Sequence, residues 1–493
     1  MSERSLVRQA WIWLASPVVL FIAFWIRAEI AVPVIAATVF CIWRMLWHSP
    51  GNLHVHGFHD IPWRRTMYAA LLVTAAYVTM SGIGGFVAQI PSDHAWRNAI
   101  FYDLARHPWP VRYGDGADAP LLCYYFAFWL PSAIVAKATG FIMAGDAAQL
   151  VWAIWGTWIA INMIVSMCGR KAIWSTIAIF IFFNAWDWVT AIFFSDEYFS
   201  IFENPWTAHL TWLSTTSDRF SASANPIIYN FIYNQGIPLW VFITLLIHRR
   251  NKPGTLLLLL SLLPIYAPIP SLAFIPWITW RLLRSPKEIL TLPNVTGLAI
   301  AILSSAFLLQ NNSGGHFRIV TTDGSVIIQL LMALVYYAIS FGPFIPFIWK
   351  FIRRDLLYWS LISMAVALSL FGIGVTPDLA WRISLPAVMM TTIMLCRRCS
   401  EIKRPFSVTD RLVVMVLAIG SFSSVYTFAY AIHSEILVAK GERERKLIFM
   451  MGRLNSREQG LWYDNFNAEG ESIYRKWLMP RQPDSAQHVQ PKK

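Results

Sequence analysis

The sequence has few charged residues. Only 14% of its 493 residues are Asp, Glu, Lys or Arg, whereas soluble proteins have about 25%. A chain of this composition lacks the polar surface that a soluble protein of the same length requires. Its hydrophobic content of 56% and mean hydropathy of +0.49 are instead typical of a protein with many membrane-spanning segments.

Cysteines are also few. Cys41, Cys123 and Cys168 lie in or beside apolar runs and are interpreted as small buried hydrophobic residues. Cys396 and Cys399 form the sequence C-R-R-C at the end of an apolar run. A redox or metal site would need a βαβ context or a second cysteine pair, and the sequence has neither. The cysteines therefore predict neither kind of site.

Acidic residues are fewer than basic ones. The chain has 40 Lys and Arg against 27 Asp and Glu, a net charge of +13. The basic residues cluster in short loops between apolar runs, as the cytoplasmic loops of membrane proteins do. Membrane topology therefore accounts for the charge, and we predict a lipid bilayer and no nucleic acid as partner.

Alternation of polar and apolar residues is missing from the hydrophobic regions. Continuous apolar runs of roughly 20 residues recur along the chain, which predicts membrane-spanning helices and excludes a transmembrane barrel of strands. We therefore expect an all-α polytopic membrane protein with about 13 transmembrane helices. The predicted transmembrane domain covers 1–432, and its longer outer loops are 91–119, 195–225 and 310–324.

The distribution of basic residues predicts the orientation. Arg4 and Arg8 precede the first apolar run, which places the N-terminus in the cytoplasm. An odd number of crossings places the tail, 433–493, outside, as an amphipathic segment with a disordered C-terminal end. The chain is expected in a bacterial cytoplasmic (inner) membrane, with the tail in the periplasm.

Two apolar segments are not predicted to be simple membrane-spanning helices. Segment 120–140 is broken by proline, and the charges that flank it and the next run leave room for only one crossing, so we interpret it as re-entrant or interfacial. Segment 255–283 contains four prolines and is predicted to form two short helices that return to the cytoplasmic side.

The first outer loop is long and chemically mixed, which is typical of a functional loop. An acid and a base stand four residues apart, so they share one face if the loop begins as a helix. The alternative is an exposed ion pair of little energetic value. The candidate site residues in this loop are Asp93, Arg97, Asn98, Asp103, Trp109 and Arg112.

Further candidates lie near the outer ends of later spans. Asp187 stands within apolar sequence, where an acid usually faces a polar cavity, although an acid at the membrane surface is the alternative. Asn234 and Gln235 belong to a group of amides that favours a sugar-sized pocket or bonds between helices. His209 lies in the second outer loop, and Arg382 suits a phosphate through its planar guanidinium.

Several motifs resemble the GT-C superfamily of polytopic glycosyltransferases, and more closely an uncharacterised bacterial branch of it. The motifs follow one another along most of the chain: S-D-H-A-W-R-N-A, H-P-W-P-V, C-Y-Y-F-A-F-W-L-P, N-A-W-D, H-L-T-W, Y-N-Q-G-I-P-L-W, D-L-A-W-R-I-S-L-P and E-S-I-Y-R-K-W-L. The resemblance implies transfer of a sugar from a polyprenyl phosphate or diphosphate outside the cytoplasmic membrane.

The resemblance also implies residue roles. Asp93 takes the place of the acid that activates the acceptor as general base. Arg97, Arg112 and Arg382 are available to stabilise the phosphate leaving group. The aromatic residues Trp109, Tyr124 and Tyr125 suit a sugar face and an isoprenoid chain. This chemistry does not require a divalent metal, although it leaves one open as a cofactor.

Two other functions remain open. A transporter or flippase would show paired broken helices and charged groups within its spans; segment 255–283 is similar to such a pair, but Asp187 stands almost alone as a charge. A non-catalytic GT-C-like scaffold stays open because of two departures from the family pattern. Ala95 stands where some members have a second acid, and Gly236 stands where a Pro-Gln-His pattern has its histidine.

Overall fold

In the computed structural model the chain is an all-α protein, as its composition predicts. Strands are limited, in the part of the chain that the structure describes, to two short antiparallel pairs. The described residues are 2–48, 65–89, 91–114, 119–169, 172–194, 220–312, 317–321, 324–373, 378–444 and 466–480.

The helices follow one another along the whole described chain. In order, they are α1 (Glu3–Trp25), α2 (Ala28–Trp43), α3 (Arg65–Thr79), α4 (Pro91–Arg106), α5 (Leu130–Thr139), α6 (Ile142–Cys168), α7 (Ile173–Phe182), α8 (Asp187–Phe194), α9 (Asn225–Arg249), α10 (Leu256–Ser261), α11 (Pro268–Leu272), α12 (Ile275–Leu283), α13 (Leu292–Leu308), α14 (Val326–Phe341), α15 (Ile345–Ile352), α16 (Leu356–Leu368), α17 (Asp378–Ile383), α18 (Leu385–Ser400), α19 (Val408–Gly420) and α20 (Phe422–Ala439). The strands are β1 (Leu121–Leu122), β2 (Phe317–Ile319), β3 (Phe371–Ile373) and β4 (Asn467–Ala468); β1 pairs with β4 and β2 with β3.

Local sequence explains where several helices begin. The side chain of Ser407 accepts a hydrogen bond from Asp410 N, and the Asp410 carboxylate accepts one from Ser407 N, which is a capping box at the start of α19. The Asp355 side chain caps α16 in a similar way. Proline occupies the first or second position of α9, α13 and α18, where its missing N–H costs nothing.

Eight segments are long and apolar enough to cross a membrane, among the described residues: Glu3–Trp25, Ala28–His48, Ile142–Cys168, Ile173–Thr190, Asn225–Arg249, Val326–Ile352, Leu379–Ser400 and Val408–Ala439. The helices α3, α13 and α16 are apolar but shorter. The predicted count of 13 is therefore not confirmed. Together, the eight long segments and three shorter helices fit a multi-pass membrane protein.

Segment 255–283, predicted to form two short helices, forms a hairpin that begins and ends on one side of the bundle. The Thr291 hydroxyl, after the hairpin, donates to the carbonyl of Gly254, before it, at 2.7 Å. At the tip, Tyr266 donates from its hydroxyl to the carbonyl of Leu14, the midpoint of α1. The tip of the hairpin thus lies at the middle of the bundle. The first helix of the hairpin, α10, has only six residues and is too short to span a bilayer.

Segment 120–140 enters the bundle from the other side. Leu121 pairs with Ala468 of the C-terminal region, and Lys137, at the far end of the segment, donates to the carbonyl of His107 at 2.6 Å. Both ends therefore lie on one side, as a re-entrant segment requires. At its tip, Ala127 N donates to the carbonyl of Ile265 at 3.4 Å, so the tips of the two hairpins meet.

The bundle has two faces. The tail face carries Arg27, β1 and the segment 466–480; Arg27 N donates to Leu478 O at 2.7 Å. The opposite face carries the other end of α1, where Glu3 accepts a hydrogen bond from His248 at 3.0 Å. The 23-residue α1 joins the faces and is about 35 Å long, which matches a bilayer core with a little to spare.

The described parts of the C-terminal region, 433–444 and 466–480, contact the bundle. The last long helix, α20, continues to Ala439, past the predicted boundary at 432. Segment 466–480 then docks on the tail face: Tyr474 donates to Trp25 O at 2.7 Å, and Ser472 donates to Gln310 at 2.9 Å. The predicted disorder at the C-terminal end falls on 481–493, outside the described residues.

Candidate functional site

The helix α4 brings the predicted base and its neighbouring cation together. Asp93 and Arg97 are one helical turn apart, and Arg97 Nη1 donates to the Asp93 carboxylate at 2.8 Å. The Arg97 side chain is only 7% exposed, whereas that of Asp93 is 36% exposed. The pair is therefore anchored in the protein on its basic side and open to solvent on its acidic side.

Arg97 rests on a tyrosine of the kinked helix α9. Its guanidinium lies 5.9 Å from the ring centre of Tyr233, a favourable placement for a cation on an aromatic face. The Tyr233 hydroxyl accepts hydrogen bonds from Gln149 at 2.8 Å and from Trp129 at 3.3 Å. His94 stacks on the same ring at 6.2 Å. Three buried residues, Gln149, Trp129 and His94, thus hold the Tyr233 ring on which Arg97 lies.

A second arginine meets the same region from far along the chain. Arg382 donates a hydrogen bond to the Tyr125 hydroxyl and lies over that ring at 5.7 Å. Tyr125 stacks on Tyr124 at 3.8 Å. Tyr124 interacts electrostatically with both Arg97 and Arg382. We name Asp93, Arg97, Tyr124, Tyr125, Tyr233 and Arg382 the two-arginine cluster.

The two-arginine cluster contains one buried arginine that keeps its charge, Arg97. Burial lowers the pKa of the Arg97 guanidinium, but Asp93, Tyr124 and Tyr233 together raise it by more, so the pKa lies above its ordinary value. Arg97 pairs with Asp93, Arg382 donates to the Tyr125 hydroxyl, and a second acid, Asp146, acts on Tyr233. The buried Nε of Arg97 has no hydrogen-bond partner among the described residues, so it has a donor to offer a phosphate oxygen.

The predicted amides follow Tyr233 directly. Asn234 and Gln235 are buried, and both amide atoms of Asn234 lack a partner within the described residues. An unsatisfied buried amide costs about 1–3 kcal/mol, so a polar ligand is the natural partner. Gly236 is closely packed: a Cβ there would lie 2.3 Å from Ile228 Cγ2. Packing therefore leaves no room for the histidine of the family pattern.

Three of the candidate site residues in segment 91–119 contact residues outside the two-arginine cluster. Asp103 accepts a hydrogen bond from the Tyr113 hydroxyl at 2.7 Å, and burial raises the pKa of its carboxyl group. Trp109 donates to Leu104 O at 2.8 Å. Arg112 donates to the sulfur of Met479 at 3.6 Å. These contacts fold the segment after α4 and attach it to the tail.

The remaining predicted residues are dispersed. Asn98 is buried within α4, one residue after Arg97. Asp187 is fully buried at the start of α8, where it accepts hydrogen bonds from the Asn184 amide and, at 2.7 Å, from Trp188 N. Its electrostatic neighbour is Tyr336 of α14, so it belongs to a second polar cluster. His209 lies outside the described residues.

The tail covers part of the two-arginine cluster. Phe466 lies 4.9 Å from the ring centre of Tyr124 and stacks on Trp96 of α4 at 5.6 Å. Its carbonyl accepts a hydrogen bond from Cys123 N at 2.8 Å, next to the β1–β4 pair. A cluster assembled from α4, segment 120–140, α9 and α17 is thus partly covered by Phe466, from near the end of the chain.

Reasoning from the sequence missed the residues beneath Arg97. Tyr233, Trp129 and Gln149 all lie in apolar runs, where tyrosine and tryptophan are ordinary core residues. Gln149 was the available signal, because a buried amide within the long apolar helix α6 needs a partner. His94 stands next to the predicted base, and its contacts depend on a tertiary approach that no sequence spacing indicates.

A glycine turn positions the start of α4, and its substitution gives a first prediction. Gly82 has φ +75°, and a Cβ there would lie 2.4 Å from His94 Nε2. We expect Gly82→Ala to lower the melting temperature of the purified protein, because it costs about 1–3 kcal/mol of backbone strain and displaces His94. The matched control is Gly140→Ala, which has φ +72° but no neighbour within 4 Å. Equal losses in the two variants would show that His94 has no part in the effect.

The described residues contain no group of three or more His, Cys, Asp or Glu that could hold a metal ion. The site therefore rests on arginines, an acid, tyrosines and amides. Comparison of the chain with protein-family models, with curated proteins and with solved structures finds no match.

Proposed function

We propose that the chain is a membrane glycosyltransferase that moves a sugar from a polyprenyl-phosphate-type donor to an envelope glycan, lipid or protein acceptor. The observation that carries the proposal is the two-arginine cluster. It combines an accessible carboxylate, Asp93, with two guanidinium groups, Arg97 and Arg382, which come from distant parts of the chain. A transferase of this kind needs a base and cations at one place.

The chemistry assigns each charged group a role. Asp93 takes the proton of the acceptor hydroxyl, whose oxygen then forms a bond to the anomeric carbon of the sugar. The bond between that carbon and the phosphate oxygen breaks, and the lipid phosphate leaves with the electron pair. Arg97 and Arg382 stabilise the charge on the leaving phosphate. No step requires a metal ion, and a divalent metal remains an optional addition to the phosphate.

The aromatic and amide residues suit the rest of the substrate. Tyr124 and Tyr125 present stacked rings beside the cations, and aromatic faces bind sugar rings and isoprenoid chains. Asn234, whose amide is unsatisfied within the described residues, supplies donors and an acceptor for sugar hydroxyls. These contacts support a polar substrate with an apolar attachment.

The proposed location follows from the two faces. The opposite face carries Arg353, Arg354, Arg397 and Arg398 at helix ends, as a cytoplasmic face does. We place that face and the N-terminus in the cytoplasm, and the tail face in the periplasm of a bacterium with the chain in its inner membrane. The two-arginine cluster then lies on the side where lipid-linked sugars are used.

Substitution of the proposed base gives a second prediction. A deletion strain is expected to lack one sugar in its envelope glycans, and the wild-type gene to restore it. Asp93→Asn should restore less than about 1% of it, because loss of a general base costs about 10²–10⁴-fold. The measurement is the sugar composition of lipopolysaccharide, capsule and glycoproteins, with the protein amount checked by immunoblot.

The control variant is Glu29→Gln. Glu29 is an exposed acid in the first turn of α2, on the tail face but outside the two-arginine cluster. It should restore the sugar fully. An unchanged glycan profile in the deletion strain, or full rescue by Asp93→Asn, would remove the support for a transferase.

A transporter or flippase of lipid-linked sugars is the second candidate, and the paired hairpins favour it. Segments 120–140 and 255–283 enter from opposite faces, and their tips meet at Ala127 and Ile265. Broken helices of this kind form substrate sites in many transporters. The discriminating measurement is the location of the lipid-linked sugar in the deletion strain. Accumulation on the cytoplasmic side indicates transport, and accumulation on the periplasmic side indicates transfer.

A further inference from the structure

The segment that precedes α4 contains a strained turn. Ala88 has φ +58°, and among the described residues other than glycine it alone has a positive φ. A left-handed backbone is costly for a residue with a Cβ, and it persists only where the surrounding structure enforces it. Ala88 is fully buried and precedes Asp93 closely in the sequence. The turn therefore needs contacts that hold it in place.

The end of α20 supplies these contacts. The Glu435 carboxylate accepts a hydrogen bond from Ala88 N at 2.6 Å, and Ser434 Oγ donates to the Gln89 carbonyl at 3.0 Å. Arg443, beyond the end of the helix, donates to Ser434 Oγ at 2.8 Å. A hydrogen bond from an N–H to an ionised carboxylate is short and strong. Two neighbouring side chains of one helix thus hold two neighbouring residues of the turn.

The same turn lies close to the first turn of α4. Gly82 is their common neighbour, because a Cβ there would lie 3.0 Å from the Ala88 carbonyl oxygen and 2.4 Å from His94 Nε2. His94 follows Asp93 directly, and its ring stacks on Tyr233 at 6.2 Å. A shift of the Ala88 turn would therefore be passed to His94, and with it to the Asp93 carboxylate.

We propose that Glu435 and Ser434 are positioning residues for Asp93. They hold Ala88 in its strained conformation, and the turn held in this way sets the position of the first turn of α4. The consequence for activity rests on the proposed function: sugar transfer needs its base at a defined place, and a misplacement of roughly 1 Å costs up to about 100-fold in rate. Glu435 and Ser434 take no part in the chemistry and act through the backbone that joins α3 to α4.

The test uses the full chain and three variants. Glu435→Ala removes the acceptor of the Ala88 N–H. Glu435→Gln keeps an oxygen that accepts this hydrogen bond. The double variant Ala88→Gly/Glu435→Ala removes the acceptor and also the strain, because glycine adopts a positive φ freely. A role in positioning predicts that the second and third variants retain what the first one loses.

The first measurement is hydrogen exchange of segment 82–97 in the purified protein. Glu435→Ala should raise the exchange rate about tenfold or more, because loss of a hydrogen bond to a charged group opens the segment more often. Glu435→Gln should stay within about threefold of the wild type. Ala88→Gly/Glu435→Ala should exchange about fivefold more slowly than Glu435→Ala, because the strain is gone.

The second measurement is the envelope sugar that each variant restores in the deletion strain, divided by the amount of protein. Glu435→Ala should restore about ten- to a hundredfold less than the wild type, because Asp93 is misplaced. Glu435→Gln should restore close to the wild-type amount. Ala88→Gly/Glu435→Ala should restore several times more than Glu435→Ala alone.

The matched control is Asp355→Ala. The Asp355 carboxylate also accepts backbone N–H groups, from Leu357 at 3.0 Å and from Tyr358 at 3.4 Å, but at the start of α16. Its loss should lower the melting temperature and leave both the exchange of segment 82–97 and the sugar per protein unchanged.

Two results would overturn the positioning role. One is an exchange rate of segment 82–97 in Glu435→Ala that equals that of the wild type, and the other is an equal loss of sugar per protein in Glu435→Ala and Asp355→Ala. The exchange measurement does not depend on the sugar. Raised exchange in Glu435→Ala, together with a deletion strain that lacks no sugar, would support the hold of Glu435 on α4 and contradict the transferase.

Discussion

Replacing Arg97 with glutamine is expected to reduce the product of the proposed sugar transfer to roughly a hundredth of the wild-type level or less. Removal of one preorganised donor to a developing negative charge costs about 10²–10³-fold. Arg97 provides such a donor, and it also orients the Asp93 carboxylate at 2.8 Å. The measurement is the restored envelope sugar in the deletion strain, normalised to the amount of protein.

The fold should survive this change. Breaking a fully buried ion pair is strongly destabilising because the remaining charge is left without water. Here the remaining group is Asp93, whose side chain is 36% exposed and stays hydrated. We therefore expect Arg97→Gln to accumulate in the membrane at close to the wild-type amount. Loss of the product then reports on function rather than on folding.

Two further variants sharpen the result. Arg97→Lys keeps the charge but loses the flat guanidinium that lies over Tyr233, so it should restore an intermediate amount. Arg106→Gln is the matched control, because Arg106 is an exposed arginine of the same helix that also lies over a tyrosine, Tyr102, at 5.0 Å. If Arg106→Gln and Arg97→Gln lowered the product equally, the two-arginine cluster would have no special role.

Replacing Phe466 with alanine is expected to give the largest loss of stability among these variants. Phe466 is 6% exposed and packs on Trp96 and Tyr124. Truncation of a buried phenylalanine costs about 3–5 kcal/mol of the free energy of unfolding. The loss should fall on the attachment of the tail, because the same residue supplies the carbonyl that Cys123 N contacts.

The measurement is the melting temperature of the purified protein, together with the rate at which a protease releases the tail. The control is Trp477→Ala in the same tail segment. Trp477 is 60% exposed, so its loss should change the free energy of unfolding by no more than about 0.5 kcal/mol. Similar changes in the two variants would mean that the tail is not held through Phe466.

Much of the fold could be predicted from the sequence, because the cost of placing polar groups in a bilayer is read directly from composition. The all-α class, the long apolar helices and the unusual segments 120–140 and 255–283 all follow from runs, prolines and charges. The number of crossings could not be predicted. An apolar hairpin of short helices has the same composition as two short spans, and only its contacts with Gly254, Leu14 and Ile265 distinguish them.

The candidate site was predictable in part. Asp93 and Arg97 are four residues apart, so helical periodicity alone pairs them. The approach of Arg382 to Tyr125, across 257 positions, was not predictable from spacing. Asp103 and Trp109 carry the same chemistry as Asp93 and Tyr124, yet they contact Tyr113 and Leu104 instead. Residue type indicates which groups are able to act, and packing selects those that meet.

By itself, the sequence determined that this chain is built from apolar helices. It also showed that many of the candidate polar residues lie in segment 91–119, after the third apolar run. Desolvation acts on each segment independently of its neighbours, so these properties are local. Only the tertiary structure decided that Phe466 covers Tyr124, that Gln149 holds the tyrosine beneath Arg97, and that Glu435 contacts the turn at Ala88. Contacts between distant residues depend on how helices cross, which no local pattern contains.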